Sequence, residues 1–337
     1  MEGERRMQEK FRALVVDKTE SGDVSVKVKE LSIDQLPQGD VIIRAAYSSV
    51  NYKDGLASTP NGNIVRTYPF VPGIDVAGTV VSSTDERFKE GDQVLVTGFE
   101  LGVSHYGGFS EYVRVPAEWI VPLPSGLTLR EAMVYGTAGF TAALSVQRLE
   151  ESGVTPDKGE VLVTGATGGV GSLAAAMLAK KGYDVVASTG KESEHGYLRE
   201  LGVKEIIARE DVAPEKFKPL GKTRWAGAVD PVGGNTLAYV LSTTQYGGSV
   251  AVSGLTGGTN VPTTVFPFIL RGVNLLGIDS VYCPMEVRLP LWKRMADDLK
   301  PDRLEDTIAH EITLDELPQS LQRILQGQMR GRAIVKL

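Results

Sequence analysis

Glycines 165, 168 and 171, in Val161-Leu-Val-Thr-Gly165-Ala-Thr-Gly168-Gly-Val-Gly171-Ser, have the spacing that brings backbone N–H groups up to a phosphate. Gly165 permits a sharp turn out of an apolar run. Gly168 lets the following N–H groups approach a pyrophosphate at a helix N-terminus, where the dipole favours anions. Gly171 lets that helix lie close on the preceding strand. The chemistry this implies is the binding of a dinucleotide. A second polar cluster, Ser48-Ser-Val-Asn51-Tyr52-Lys53-Asp54, follows another apolar run, a place where a solvated turn is the ordinary expectation.

The elements around the glycines support the dinucleotide reading. A strand precedes them, an alanine-rich helix runs from Val170 towards Lys181, and a second apolar strand follows at Asp184-Val-Val-Ala-Ser. Helix and strand then alternate: a helix at Glu194 to Leu201, a strand at Glu205-Ile-Ile, strands at Ala226 to Asp230 and Gly248 to Ser253 with a helix between them. A helix at Thr264 to Arg271 and a strand at Asn274 complete six strands. This is the pattern of a doubly wound parallel sheet. Before it, short strands with Ser-Gly-Asp and Pro-Gln-Gly-Asp turns suggest a small β-barrel up to Pro124, with a helix beginning at Leu129. Asp75, one carboxylate in an apolar run, is expected to be a paired structural acid. After Ser280 come helices at Met285 to Leu299 and Glu316 to Gln326, a strand near His310 and a closing strand at Arg332-Ala-Ile-Val-Lys-Leu. The closing strand most simply returns to the barrel, which makes the first domain discontinuous.

The second strand of the dinucleotide unit ends at Ser188-Thr189-Gly190-Lys191, where an NAD-binding unit carries a carboxylate for the ribose 2′-hydroxyl. Hydroxyls and a cation there suit a 2′-phosphate, and Arg209 beyond the third strand can add a second charge. The expected cofactor is NADPH rather than NADH. Glu192 follows the Gly-Lys turn and reads as a helix-start or surface acid.

The chain of 337 residues exceeds what one core usually serves, so two domains are expected. A net charge of -6 argues against nucleic-acid and anionic-membrane partners, and no apolar run is long enough to span a membrane. Residues 1–10 lack the apolar core of a signal peptide and read as a polar extension, with Met7 a second candidate start. A cytoplasmic protein is expected. The single cysteine, Cys283, reads as a core residue, and the three histidines, His105, His195 and His310, are widely separated; a metal-free protein is expected.

Taken in order, Ser49-Val-Asn-Tyr-Lys-Asp54, Pro72-Gly-Ile-Asp-Val-Ala-Gly78, Gly136-Thr-Ala-Gly-Phe-Thr-Ala142, Val163 to Gly171 and Pro262 to Arg271 resemble the zinc-free medium-chain dehydrogenase/reductase superfamily, in its quinone oxidoreductase-like branch and acryloyl-CoA reductase subfamily. The resemblance covers Phe11 to Leu337. It implies an α/β fold: a GroES-like β-barrel catalytic domain at 11–128 and 280–337, a Rossmann NADPH-binding domain at 129–279, a cleft for the nicotinamide, and a homodimer. It implies hydride transfer from NADPH to the β-carbon of an activated alkene such as acryloyl-CoA. A quinone reductase is the alternative, and a non-catalytic NADPH-binding protein a third reading.

Carried onto this chain, the resemblance makes Asn51 and Tyr52 line the nicotinamide and substrate face, with Tyr52 a cofactor contact and a donor to the enolate. Lys53 and Asp54 would brace that turn as an ion pair. Thr137 and Thr141 would lie near the nicotinamide, or serve only to start a helix. Gly168, Gly169 and Val170 would hold the pyrophosphate, and Thr189, Gly190, Lys191 and Arg209 the adenosine phosphate. Leu255, Ser280 and Gln326 would complete the cofactor pocket. Lys191 replaces the arginine associated with the subfamily, which keeps the charge and loses bidentate geometry. Arg66, Arg271 and Arg288 are candidates for coenzyme-A phosphates if they face the cleft.

Overall fold

The computed structural model describes residues 10–305 and 309–337. The polar extension expected at 1–10 lies outside them except for Lys10, which opens the first strand. The described chain forms two compact units, one made of residues 10–137 and 309–337 and the other of residues 138–305.

In the first unit β1 (Lys10–Lys18) and β2 (Val24–Ser32) form an antiparallel pair, turning where Gly22 takes a φ of 91°. β3 (Val41–Ser49) is the centre of a larger sheet and pairs antiparallel with β4 (Asp75–Ser83). β4 pairs with β5 (Gln93–Thr97), β3 also with β6 (Tyr112–Val115), and β5 with β7 (Val121–Pro122). Alternate residues of these strands, Val41, Ile43, Val76, Val80, Val94 and Val96 among them, point into one buried apolar cluster, as a period of two requires. Between β3 and β4 the chain forms a short helix α1 (Tyr52–Ala57), where the sequence suggested only a polar turn.

Helix α2 (Leu129–Glu151) is broken at Gly136, whose φ of 51° and ψ of -155° are open only to glycine. The second unit begins just after the break. Its sheet contains β8 (Val161–Val163), β9 (Val185–Thr189), β10 (Glu205–Ala208), β11 (Trp225–Asp230), β12 (Thr244–Val252) and β13 (Asn274–Gly277), all parallel. The order is β10-β9-β8-β11-β12-β13. Counted from β8 this is 3-2-1-4-5-6, the doubly wound dinucleotide-binding order. The central strands β9 and β11 are buried along their whole length, as helices on both faces demand. Helices α3 (Gly169–Lys180), α4 (His195–Glu200), α5 (Gly234–Thr243), α6 (Phe266–Arg271) and α7 (Met285–Met295) complete the unit.

β14 (Ala309–Thr313), α8 (Leu317–Leu325) and β15 (Arg332–Lys336) then return to the first unit, where β15 pairs antiparallel with β3. Leu317, Leu321 and Val335 share a core with Leu14, Val50 and Phe109, so both ends of the chain build this unit. The boundary expected at residue 280 falls instead after α7. Trp292 of α7 is fully buried and stacks on Phe140, and Arg294 binds Glu150 at 2.9 Å and Asp298 at 2.7 Å, while Lys181 reaches Asp298 at 2.8 Å. Helical periodicity shows that α7 has an apolar face and does not show against which unit the face packs.

Candidate functional site

In the second unit, β8 runs into Gly165, which turns the chain with a φ of 54°, and the N–H of Gly168 closes the turn on the Gly165 carbonyl at 3.0 Å. Gly168 is the N-cap of α3 and offers no side chain to the first N–H groups of the helix, those of Gly169, Val170 and Gly171. A Cβ on Gly171 would collide with the Gly165 carbonyl and the Ala166 backbone, so helix and turn can approach this closely only with glycine there. The turn is also tied to β11. Buried Asp230 accepts a hydrogen bond from the Thr164 hydroxyl and another from the Gly233 N–H at 2.8 Å. Burial raises the Asp230 carboxyl above its ordinary range against the pull of these donors.

At the end of β9 the Lys191 N–H donates to the Thr189 hydroxyl at 3.1 Å, and Gly190 lies against the Arg209 guanidinium so closely that a Cβ would overlap it. Burial lowers the pKa of Lys191, Glu194 opposes the shift, and the positive charge of Arg209 adds to it. Two cations are therefore held within repelling reach of each other. Glu192 is exposed in a 3₁₀ turn beyond the strand, as its position after the Gly-Lys pair suggested. Elsewhere in this unit the Thr141 hydroxyl donates to Ser280 Oγ at 2.8 Å, both residues buried, and Leu255 is exposed.

In the first unit Asn51 is the N-cap of α1. Its N–H donates to Asp54 Oδ2 at 2.8 Å, and the other Asp54 oxygen accepts the Ile74 N–H at 3.0 Å. The expected Lys53–Asp54 ion pair is replaced by this arrangement, because Asp54 is fully buried and turned towards backbone donors. Burial first, and then the negative charge of Asp75, push the Asp54 carboxyl up to about 7. Asp75 is also fully buried. Its Oδ2 accepts the Ser49 hydroxyl at 2.6 Å and Asn51 Nδ2 at 2.7 Å, and Thr137 donates to Asp75 from its N–H at 3.0 Å and to Oδ1 from its hydroxyl at 2.5 Å. Thr137 thus serves the restart of α2 after Gly136. Tyr52, next to Asn51, leaves 44% of its surface exposed, and Gln326 is an exposed residue at the end of α8.

Two sequence families match separate stretches: the alcohol dehydrogenase GroES-like domain at residues 37–125 and the zinc-binding dehydrogenase family at 169–297. Over 327 residues the chain is 62% identical to a Bacillus subtilis protein named "Putative quinone oxidoreductase YhfP", covering 97% of this chain and 99% of that one. It is 54% identical to acrylyl-CoA reductase AcuI of Ruegeria pomeroyi, covering 96% of this chain and 98% of AcuI. This chain belongs to the medium-chain dehydrogenase/reductase superfamily. Within it, the chain falls in the subfamily of these reductases. The yhdH oxidoreductase of Salmonella enterica, solved in complex with NADP, superposes with a TM-score of 0.94 at 49% identity, covering 97% of this chain and 99% of that one. Bacillus subtilis yhfP, solved with NAD bound, superposes with a TM-score of 0.96 at 62% identity, covering 98% of this chain and all of that one.

As a medium-chain dehydrogenase/reductase, the chain brings its predicted residues together in groups: the glycine turn with α3, Thr189 to Lys191 with Arg209, and Thr141 with Ser280. Two arginines considered for coenzyme-A phosphates are otherwise engaged. Arg288 is fully buried, donates to the carbonyls of Ser280, Val281 and Cys283, and lies over the Phe140 ring, while Arg271 donates to the carbonyls of Ser242 and Gly221 at 2.7 Å. Arg66 is exposed. Cys283 is buried. Among the described residues no three His, Cys, Asp or Glu side chains gather as metal ligands, and no helix is long and apolar enough to cross a membrane. Sequence reasoning missed Arg332, Ser49 and Asp230 as supports of these groups. The available signal was a charged residue at one end of an apolar strand, Asp230 in β11 and Arg332 in β15; the Ser49 hydroxyl gave none.

Proposed function

We propose that this protein is an NADPH-dependent reductase of an activated alkene, with acryloyl-CoA or a similar small enoyl thioester as substrate. The reading is carried by the cation pair Lys191 and Arg209 at the end of β9, in a chain 54% identical to a named acrylyl-CoA reductase. The residues present fit a 2′-phosphorylated dinucleotide, because a phosphate relieves the repulsion between these cations and the bare glycine turn leaves N–H groups for a pyrophosphate. Gly168, Gly169 and Val170 would hold the pyrophosphate, Thr189 to Lys191 with Arg209 the 2′-phosphate, and Thr141, Leu255, Ser280 and Gln326 the remainder.

When bound, NADPH supplies a hydride, which an electron-poor alkene accepts at its β-carbon. The charge that develops spreads onto the thioester oxygen, and a proton is needed at the α-carbon. Tyr52, a partly exposed residue, is the proposed donor to that oxygen. Asn51 beside it borders the same ligand surface. An electron-poor alkene of this kind accepts hydride directly.

A homodimer formed through the second unit belongs to the same proposal. Among the described residues β13 is the last strand of its sheet, paired with β12, and Leu275 on it and Ile269 and Leu270 on α6 are 42%, 68% and 56% exposed. Leu275→Lys is expected to sediment as a monomer and the parent chain as a dimer; a monomeric parent chain contradicts this.

The substrate is tested by NADPH consumption with acryloyl-CoA and with a simple 1,4-quinone at matched concentrations, with chelator present. Faster turnover of the thioester, unaffected by chelator, is expected. The name of the Bacillus relative favours the second reading, a quinone reductase, which the reverse preference would establish.

A further inference from the structure

An asparagine amide has nearly the same shape either way round, so its orientation is decided by its hydrogen bonds. At Asn51 the bonds leave one choice. Nδ2 donates to Asp75 Oδ2 at 2.7 Å and to the Ser49 carbonyl at 3.3 Å, and the residue is only 8% exposed. Both partners are acceptors. Rotating the amide would set Oδ1 against a carboxylate and a carbonyl in a site from which water is largely excluded. The Asp54 N–H at the start of α1 donates to the Asn51 backbone carbonyl at 3.0 Å.

Asp75 is itself held from three directions. The Ser49 hydroxyl reaches it at the end of β3, the Thr137 N–H and hydroxyl at the restart of α2, and the guanidinium of Arg332 stands 3.7 Å away from β15. Arg332 is anchored in turn by the carbonyls of Val134 and Val50 at 3.1 and 3.0 Å. The carboxylate is therefore held in place against Asn51.

We infer that Asp75 is a positioning residue: it locks the Asn51 amide with its nitrogen inward, so that Oδ1 is presented as an acceptor for a hydroxyl or amide N–H of a bound ligand. This rests on the reading that Asn51 and Tyr52 border the ligand surface. It divides the labour between them, since an acceptor cannot stabilise an enolate oxygen and the donor must be Tyr52 or water. Ligand hydroxyls and amides occur on both NADPH and a coenzyme-A thioester, and the two sources are separable by which KM rises when Asn51 is shortened.

The first test uses the ligand-free, isotopically labelled protein and reads hydrogen exchange of the Asn51 side-chain amide by NMR. Exchange about tenfold or more slower than at exposed asparagines is expected in the parent chain, and Asp75→Asn is expected to abolish that protection. Exchange in the parent chain as fast as at exposed asparagines would overturn the inference, whether or not the variant folds. The second test is a double-mutant cycle. Asn51→Ala and Asp75→Asn are each expected to lower kcat/KM about tenfold or more, and the double variant is expected to be no worse than Asn51→Ala alone. Effects that multiply would mean that Asp75 acts by another route. If the parent chain reduces neither alkene nor quinone, the proposed function fails while the exchange measurement still decides the inference.

Discussion

Arg332, in the strand that closes the chain, stands 3.7 Å from the Asp75 carboxylate of β4, with both side chains buried. Gly136 fits against the pair. A Cβ there would collide with Asp75 Oδ2, Ser49 Oγ and Arg332 Nη2, on a backbone already in the glycine-only region. Gly136→Ala is therefore expected to cost about 3 kcal/mol, from strain and from disruption of a buried charge cluster. Gly182→Ala is the comparison, since Gly182 has a φ of 83° with nothing within 4 Å of its Cβ position, and strain alone should cost about 1 kcal/mol. Urea unfolding measures both; equal costs would mean that the cluster tolerates a methyl group.

Asp54 makes stability depend on pH with a definite sign. Its carboxyl is raised to about 7 in the folded protein, first by burial and then by Asp75, against about 3.9 in an unfolded chain. The folded state thus keeps a proton that the unfolded state has released. The contribution of Asp54 to stability is complete below about pH 4 and is lost as the pH rises through 7. Between pH 5 and pH 8 the parent chain should lose about 2 kcal/mol more than Asp54→Asn, in which the group no longer titrates. Parallel pH profiles for the two proteins would count against the raised carboxyl.

Cofactor preference should follow Gly190. A methyl group there overlaps the Arg209 guanidinium and must displace it. In Gly190→Ala the ratio of kcat/KM with NADPH to that with NADH is expected to fall about tenfold, mainly through KM for NADPH. Bacillus subtilis yhfP, solved with NAD bound, makes the parent ratio informative too. A ratio near one would remove the 2′-phosphate from the account of Lys191 and Arg209.

The glycine turn was legible in the sequence because each glycine answers a local demand: a positive φ at 165, an uncapped helix start at 168, a close approach at 171. The inner parallel strands β8, β9 and β11 were legible for a similar reason, since strands buried on both faces read as apolar runs. Helix α1 was not. Its N-cap Asn51 is held by Asp54, and the burial that aims Asp54 at backbone donors is supplied by distant parts of the fold. The Asp75–Arg332 pair was half legible: an acid in an apolar strand announces a partner, but the partner lies in the last strand, and only the pairing of β15 with β3 brings it near. The place of α7 depended likewise on Trp292 meeting Phe140.

The central claim is hydride delivery to the β-carbon of an activated alkene, and the most direct test follows the hydride itself. NADPH carrying deuterium at its transferable C4 position is incubated with acryloyl-CoA in ordinary water, and the propionyl-CoA formed is examined by mass spectrometry and NMR. The account requires one deuterium on the β-carbon and a solvent hydrogen on the α-carbon. Deuterium on the α-carbon, or product without deuterium from the transferable position, would contradict it.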